Sequence, residues 1–231
     1  MHTDYDVING IISTSGLQVR GAFYPIQEDE VPAICRNITA NTLVLVGNIG
    51  GKMWPYFERH KIDENDSLDN WTKRVTQSFT SQLRKNYGNA KLFFPSEGPP
   101  YLPFQRWAMR AESVFPSPLG ILIHPKHGLW HAYRAAIAFE KVLSIPNKKD
   151  IQSPCSTCKG KPCLKACPVN AFSDGSYDVG ACVSYLNTDS GDQCLSIGCL
   201  ARKACPISKT SGYNEAQSRF HMRSMKDKHV N

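Results

Sequence analysis

The cysteines of this chain are crowded into one stretch. Eight of its nine cysteines fall between residues 155 and 205 of a 231-residue sequence. The stretch opens with Cys155-x2-Cys158-x4-Cys163-x3-Cys167-Pro168, closes with Cys194-x4-Cys199-x5-Cys205-Pro206, and holds Cys182 between the two motifs. Thiolates at this density are typical of a metal site. Ligand geometry therefore limits how the last third of the chain can fold.

Two [4Fe-4S] clusters account best for this spacing. Each cluster takes four thiolates, and in two-cluster sequences the cysteine of a closing Cys-Pro ligates the other cluster. Proline after that cysteine supplies no N–H and turns the chain away. The two Cys-Pro endings thus predict one ligand set of Cys155, Cys158, Cys163 and Cys205, and a second set of Cys167, Cys182, Cys194 and Cys199.

Two other uses of the cysteines compete with clusters. A disulfide framework suits a short secreted chain, whereas this chain is long and begins with acidic residues in place of a secretory leader. Paired zinc sites use two Cys-x-x-Cys knuckles and no Cys-Pro endings. The longer gaps after Cys158, Cys194 and Cys199 keep a three-iron cluster open as an alternative.

The charge of the chain argues against a nucleic-acid partner. The formal net charge is +7, and two clusters of about −2 each would reduce it to about +3. No apolar run approaches the length of a membrane span, so we expect a cytoplasmic protein with reduced thiols. Near the C-terminus, Arg219, Arg223, Lys226 and Lys228 are expected to form a solvated tail, with a docking patch for an acidic electron donor as the alternative.

Strands and helices alternate through residues 1–147, which predicts an α/β or α+β sheet domain. Thr42–Val46 is a β-branched apolar run typical of an interior strand. Leu68 to Leu83 shows helical spacing, with Asp66 or Ser67 at its start and Gly88 or Asn89 at its end. Residues 120–123 and 130–139 are expected to pair around a turn at 125–128. A linker at 145–153 then leads into a cysteine-rich domain at 148–231.

A few side chains of the first domain are candidates for chemistry. Arg134 lies in an apolar strand, so its guanidinium must meet either a structural ion-pair partner or an anionic cofactor group. Gln105 and Arg106 offer similar donors at a helix start, with a surface role as the alternative. Glu97, in a proline-rich loop, is a candidate general acid or a solvated side chain.

Histidines and one cysteine complete the candidates. His124, His127 and His131 are close enough in sequence to suggest a mononuclear metal site, although no acidic residue lies near them. Cys35, far from the other cysteines, is expected to be a buried apolar side chain.

Two segments resemble known families. Asp178-Val-Gly-Ala-Cys182-Val-Ser-Tyr-Leu186, between two Cys-Pro motifs, resembles the ferredoxin module of epoxyqueuosine reductases and reductive dehalogenases. His124-Pro-Lys-His-Gly128-Leu-Trp130-His-Ala-Tyr-Arg134, with Gln105-Arg106 before it, is similar to the cobalamin-processing CblC family. The chain departs at Ser96-Glu97-Gly98-Pro99, where epoxyqueuosine reductases carry Asp-Thr-Gly-Pro, so we expect no tRNA modification.

The resemblance implies a fold and a function. The fold is an α+β, flavin-reductase-like (CblC-like) sheet domain followed by a bacterial dicluster ferredoxin-like module. In such relatives the sheet domain holds a corrinoid (cobalamin) and the clusters feed it single electrons. Contact with that cofactor is then expected from Gln105, Arg106, His124 and Arg134. A ferredoxin or flavodoxin would be the electron donor, and a small molecule the substrate.

Two alternatives to a cobalamin-linked reductase stay open. One is a dicluster electron carrier without catalysis of its own, whose first domain docks partners. The other is a flavin-dependent reductase that uses the same sheet fold without cobalt.

Overall fold

The computed structural model describes residues 3–63, 66–173, 176–207 and 211–229. The chain divides into two compact units. Unit 1 comprises Met1–Ser113 and Ala132–Asp150, and unit 2 comprises Val114–His131 and Ile151–Asn231. The chain passes from one unit to the other three times. The boundary expected at residue 148 is close to the third of these points, after Asp150, whereas residues 114–131 of the expected first domain belong to unit 2. Within the described ranges, no helix has the length and apolarity needed to cross a membrane.

The helices and strands follow one another along both units. The helices are α1 (Asp4–Ser13), α2 (Trp54–His60), α3 (Leu68–Tyr87), α4 (Phe104–Ala111), α5 (Pro162–Lys165), α6 (Val179–Leu186), α7 (Asp192–Ile197), α8 (Leu200–Lys203) and α9 (Glu215–Asp227). The strands are β1 (Gln18–Phe23), β2 (Thr42–Ile49), β3 (Ala90–Phe93), β4 (Phe115–Pro116), β5 (Leu122–Ile123), β6 (His131–Phe139), β7 (Phe172–Ser173) and β8 (Ser176–Tyr177).

Unit 1 is organised around a four-stranded sheet in the order β1-β2-β6-β3. The pairs β1–β2 and β3–β6 are antiparallel. Strand β2 lies in the interior of the sheet and is buried from Thr42 to Asn48, which confirms the interior strand expected at Thr42–Val46. Gly47 is required there, because a Cβ at this position would lie 2.0 Å from the carbonyl oxygen of Ala132.

Helix α3 confirms the strongest helix prediction. The hydroxyl of Ser67 accepts a hydrogen bond from the backbone N–H of Asn70, and the helix ends at Gly88, whose φ is 80°. Its buried side includes Trp71, Phe79 and Leu83, as the spacing predicts. A row of buried threonines extends that side, and each hydroxyl donates to the carbonyl four residues earlier: Thr72, Thr76 and Thr80.

The pairing predicted around residues 125–128 is wrong. Strand β5 pairs with β4, and β6 pairs with β3 inside the large sheet, so only an isolated bridge between His124 and Gly128 closes the turn. The reason is burial, since Ala135 to Phe139 are inaccessible to solvent and need a sheet neighbour on each side.

Cys35 is exposed, which corrects the expectation of a buried side chain. It forms an isolated bridge with Ile38 across a turn in which Asn37 adopts a φ of 68°. The buried apolar residue of this turn is the preceding Ile34.

Unit 2 builds its core from cysteines and aliphatic side chains together. One buried cluster consists of Leu119, Ile123, Leu129, Cys163, Ala201 and Cys205. The basic segment near the C-terminus is a helix, α9, where we expected a solvated tail. Its side chains Gln217 and Ser218 are buried, while Arg219 and Arg223 are exposed.

Replacing Gly47 with Ala should destabilise unit 1, because the new Cβ overlaps the Ala132 carbonyl. Overpacking of this kind costs about 1–3 kcal/mol, which urea unfolding would measure. Gly10→Ala is the matched control, since that Cβ meets nothing within 4 Å, and it should stabilise helix α1 by up to about 1 kcal/mol. Equal effects of the two substitutions would contradict the close approach of β2 and β6.

Candidate functional site

Four cysteines from the two ends of the cysteine-rich stretch line one cavity in unit 2. They share that cavity with Ile123, Leu129, Pro206 and Lys161. Cys163 and Cys205 are buried, whereas Cys155 and Cys158 are half-buried. These four residues, called the first cysteine group below, are Cys155, Cys158, Cys163 and Cys205.

The remaining four cysteines of the stretch form a second group. Cys182 lies on α6, Cys194 lies on α7, and Cys199 caps the start of α8. Burial raises the pKa of Cys194, and the thiolates of Cys182 and Cys167 raise it further because they are close. The second cysteine group therefore consists of Cys167, Cys182, Cys194 and Cys199. The crossover rule assigns the same two sets as cluster ligands, and that assignment stays a prediction.

The buried thiols of each group resist loss of their protons unless a cation lies beside them. Burial raises the pKa of Cys155, and the thiolates of Cys205, Cys163 and Cys158 add to that rise. Burial likewise raises the pKa of Cys205. A bound metal reverses this, because coordination removes the thiol proton outright. All nine cysteines are free of disulfides.

Backbone N–H groups point at the sulfurs. The N–H of Ala171 donates to Cys167 Sγ at 3.3 Å. Hydrogen bonds from the N–H groups of Leu164 and Leu200 hold down the pKa values of Cys163 and Cys194, although burial still dominates. Donors of this kind stabilise thiolate and sulfide charge around an iron–sulfur cluster. The donor set thus fits two iron–sulfur clusters.

The arrangement does not resemble a site for a single ion. Within the described residues, no three of His, Cys, Asp and Glu are placed to hold one metal ion. In a four-iron cluster each cysteine binds its own corner, so the sulfurs stand around a cavity instead of meeting at one point. The four cysteines of the first group likewise line one cavity.

Arg202 connects the first cysteine group to residues 128–130, a role that was not predicted from the sequence. Its guanidinium lies over the rings of Trp130 and Tyr213, 4.6 Å from each centroid, and its Nε donates to the carbonyl of Leu129 at 3.1 Å. The N–H of Cys205 in turn donates to the Arg202 carbonyl. The sequence feature that could have indicated this role is the position of an arginine between Cys199 and Cys205.

The three histidines lie together in unit 2. The rings of His124 and His127 stack at 4.6 Å, and the His131 ring is 6.2 Å from that of His124. His124 Nδ1 accepts hydrogen bonds from the N–H groups of Lys126 and His127. Because Nδ1 accepts these hydrogen bonds, the neutral form of this ring carries its proton on Nε2.

The candidate residues of unit 1 occupy different environments. Arg134 is half-buried, and its Nε donates to Asn48 Oδ1 at 3.1 Å. Arg106 and Gln105 are exposed on the outer side of α4, where Arg106 pairs with Glu30. Glu97 is an exposed partner of Lys73 at 3.0 Å.

A buried network of charged side chains lies beside Arg134 and was not predicted from the sequence. Arg20 Nη2 lies 2.8 Å from Glu112 Oε1, and Arg20 Nη1 donates to the carbonyl of Asn48. Tyr133 donates to the same Glu112 oxygen at 2.6 Å. Burial raises the pKa of Glu112, although Arg20 opposes the rise. Because Arg20 and Glu112 are 92 positions apart, the only local signal was one arginine within the apolar strand β1.

Solved structures of two kinds of protein share this fold. The B12-trafficking protein CblC of C. elegans aligns with 95% of this chain and 90% of its own, at 15% identity and a TM-score of 0.57. Epoxyqueuosine reductase of Bacillus subtilis aligns with 91% of this chain and 67% of its own, at 14% identity and a TM-score of 0.50. A structure of epoxyqueuosine reductase with a tRNA-Tyr epoxyqueuosine-modified stem loop aligns with 91% of this chain and 67% of its own. Its sequence identity is 15% and its TM-score is 0.51.

These likenesses establish the fold of the chain. It is a mixed α/β fold with an antiparallel sheet, similar to the folds of CblC and epoxyqueuosine reductase, which confirms the predicted sheet fold. The chain spans about half (51%) of the epoxyqueuosine reductase of Streptococcus thermophilus. No family model matches the sequence, and no curated protein matches it.

Replacing Arg20 with Met should destabilise unit 1, because the Glu112 carboxylate then stays buried without its cation. Removal of one partner of a buried pair costs about 3–5 kcal/mol. Arg20 lowers the pKa of Glu112, so without it the raised pKa rises further and the carboxyl is neutral at low pH. The loss, measured by urea unfolding, should therefore be smaller near about pH 4 than at pH 7.

The double variant Arg20→Met/Glu112→Leu is the control for that measurement. It leaves no buried charge, so most of the lost free energy of unfolding should return. Equal losses in the single and double variants at both pH values would show that an unpaired Glu112 carboxylate is not what destabilises the single variant.

Proposed function

We propose that this protein is an iron–sulfur reductase that carries two [4Fe-4S] clusters in unit 2 and delivers single electrons to a corrinoid bound by unit 1. One observation supports the proposal above others. The eight thiols fall into two separate groups, and the first group combines cysteines from both Cys-Pro motifs. Two groups of four thiols, one of them drawn from both Cys-Pro motifs, are what two four-iron clusters with crossed-over ligands require.

The residues around the first cysteine group suit electron transfer. Ile123, Leu129 and Pro206 line the cavity with apolar surface, so they keep water from the sulfurs. Backbone N–H groups meet the sulfurs and stabilise added negative charge. When bound, a four-iron cluster supplies a one-electron couple whose potential depends on those hydrogen bonds and on solvent exposure.

Unit 1 offers donors suited to an anionic or polar part of a corrinoid. Arg134 is held in place by Asn48, whose carbonyl is itself held by the buried Arg20. The likeness of the fold to a B12-trafficking protein supports a corrinoid over other cofactors. His124, which the resemblance also implies as a contact, belongs to unit 2. Gln105 and Arg106, exposed on α4, would act only at the rim of such a site.

Each cysteine group should lose its iron independently of the other. Cys205→Ala and Cys182→Ala remove one ligand from the first and second groups, so each should lower iron and acid-labile sulfide to about half in anaerobically purified protein. Cys35→Ala is the control and should change neither quantity, because Cys35 is exposed and outside both groups. Unchanged metal content in the Cys205 or Cys182 variant would remove that residue from the ligand set.

Cob(III)alamin should bind the purified protein and change its visible spectrum. Arg134→Met should weaken that binding about 10-fold or more, since a hydrogen bond to a charged group contributes about 1.5–3 kcal/mol. Arg110→Met is the control, because Arg110 is an exposed residue of α4 that pairs with Asp29. No spectral change up to about 100 µM cobalamin would remove the corrinoid, and extraction of a flavin, or of no cofactor, would favour one of the alternatives.

A further inference from the structure

Three lysines are grouped on the loop that carries the first cysteine motif. Lys159, Lys161 and Lys165, called the loop lysines below, lie within seven residues and are all exposed. A Cβ placed on Gly160 would be 3.8 Å from Lys165 Nζ, so the ammonium of Lys165 folds back over the loop. No Asp or Glu occurs between Ile151 and Ser173, so the sequence of this loop supplies no anion.

The loop lysines flank members of the first cysteine group along the chain: Lys159 follows Cys158, and Lys161 and Lys165 lie two residues on either side of Cys163. Lys161 lines the same cavity as the four cysteines. Cys155 and Cys158 are the half-buried members of the group. Exposed positive charge therefore lies beside two half-buried cysteines of the first group.

We propose, building on the electron relay described above, that the loop lysines form the docking surface for an acidic ferredoxin and that electrons arrive first at the first cysteine group. Opposite charges steer such partners together and raise the association rate. In each encounter one electron leaves the reduced ferredoxin and is taken up by the iron held in the first group. No bond or proton is transferred. A ferredoxin fits because it delivers one electron at a time to a one-electron acceptor.

The surface is less suited to a nucleic acid. Proteins that bind single-stranded nucleic acid combine a basic groove with aromatic side chains on which the bases stack. No aromatic residue occurs between Ile151 and Ala171, and Phe172 is stacked on Tyr177 at 4.7 Å. The loop lysines are also confined to one short loop beside the cysteines and do not extend along a groove.

Charge reversal tests the proposal. The triple variant Lys159→Glu/Lys161→Glu/Lys165→Glu should lower the second-order rate of reduction by an acidic ferredoxin at least 10-fold at low salt in stopped-flow measurements. The wild-type rate should fall as salt is added, and the variant rate should depend little on salt. The matched control Arg219→Glu/Arg223→Glu/Lys228→Glu makes the same charge change on and just after α9 and should alter the rate less than twofold.

Two further measurements separate docking from damage. Iron and sulfide content, and the rate of reduction by dithionite, should be unchanged in the α9 triple variant and in Lys159→Glu/Lys165→Glu. Since Lys161 lines the cavity and has a φ of 39°, Lys159→Glu/Lys165→Glu gives a variant that leaves the cavity intact and should still lose most of the ferredoxin rate. The triple Lys→Arg variant keeps the charge and should keep the rate.

Several results would overturn the proposal. An unchanged ferredoxin rate in the loop variants, or a loss confined to the α9 variant, would place the donor elsewhere. A tRNA stem loop that binds wild type but not the loop variants, with the ferredoxin rate intact, would make the surface a nucleic-acid site. Absence of iron from the wild-type protein would instead contradict the proposed function, so the two failures are distinguishable.

Discussion

Unit 2 depends on holding thiols that resist ionisation close together in a largely apolar setting. Cys163 and Cys205 belong to its apolar core, beside Ile123 and Leu129. Buried thiols in such a place resist ionisation, and a neighbouring thiolate makes ionisation harder still. A cluster that supplies iron cations removes that penalty and ties residues far apart in sequence to one centre. Folding of unit 2 and assembly of the proposed clusters would therefore be thermodynamically linked.

The rest of unit 2 keeps the two cysteine groups in place. Arg202 is fixed between two aromatic rings and donates to the carbonyl of Leu129, so the turn before β6 is attached to the helix between Cys199 and Cys205. Helix α9 packs on α6 and α7, which carry members of the second group. A substitution of Arg202 or within α9 should therefore shift the cysteine sulfurs although it replaces no cysteine.

Much of the fold was predictable because its signals are local. The interior strand at Thr42–Val46, the cap at Ser67 and the buried side of α3 all follow from neighbouring residues. The division of the cysteines into two groups was also predictable, since cluster ligation imposes its own spacing rules. The cysteine motif carried more information about the site than any feature of unit 1.

The features that were missed depend on contacts between distant residues. The partner of β5 is the two-residue strand β4, too short to give a periodic signal. Arg20 meets Glu112 and Asn48 only through the folded sheet. Cys35 was expected inside because free cysteines usually are, but the turn after Ile34 directs it outward. Helix α9 is charged along its outer face, which concealed its buried residues Gln217 and Ser218.

Mössbauer spectroscopy of protein purified without oxygen, combined with iron and sulfide analysis, tests the central claim most directly. Two four-iron clusters predict about eight irons and eight sulfides per chain, all with the signature of [4Fe-4S] centres. A colourless protein with zinc at these cysteines, or with disulfides between them, would contradict the account.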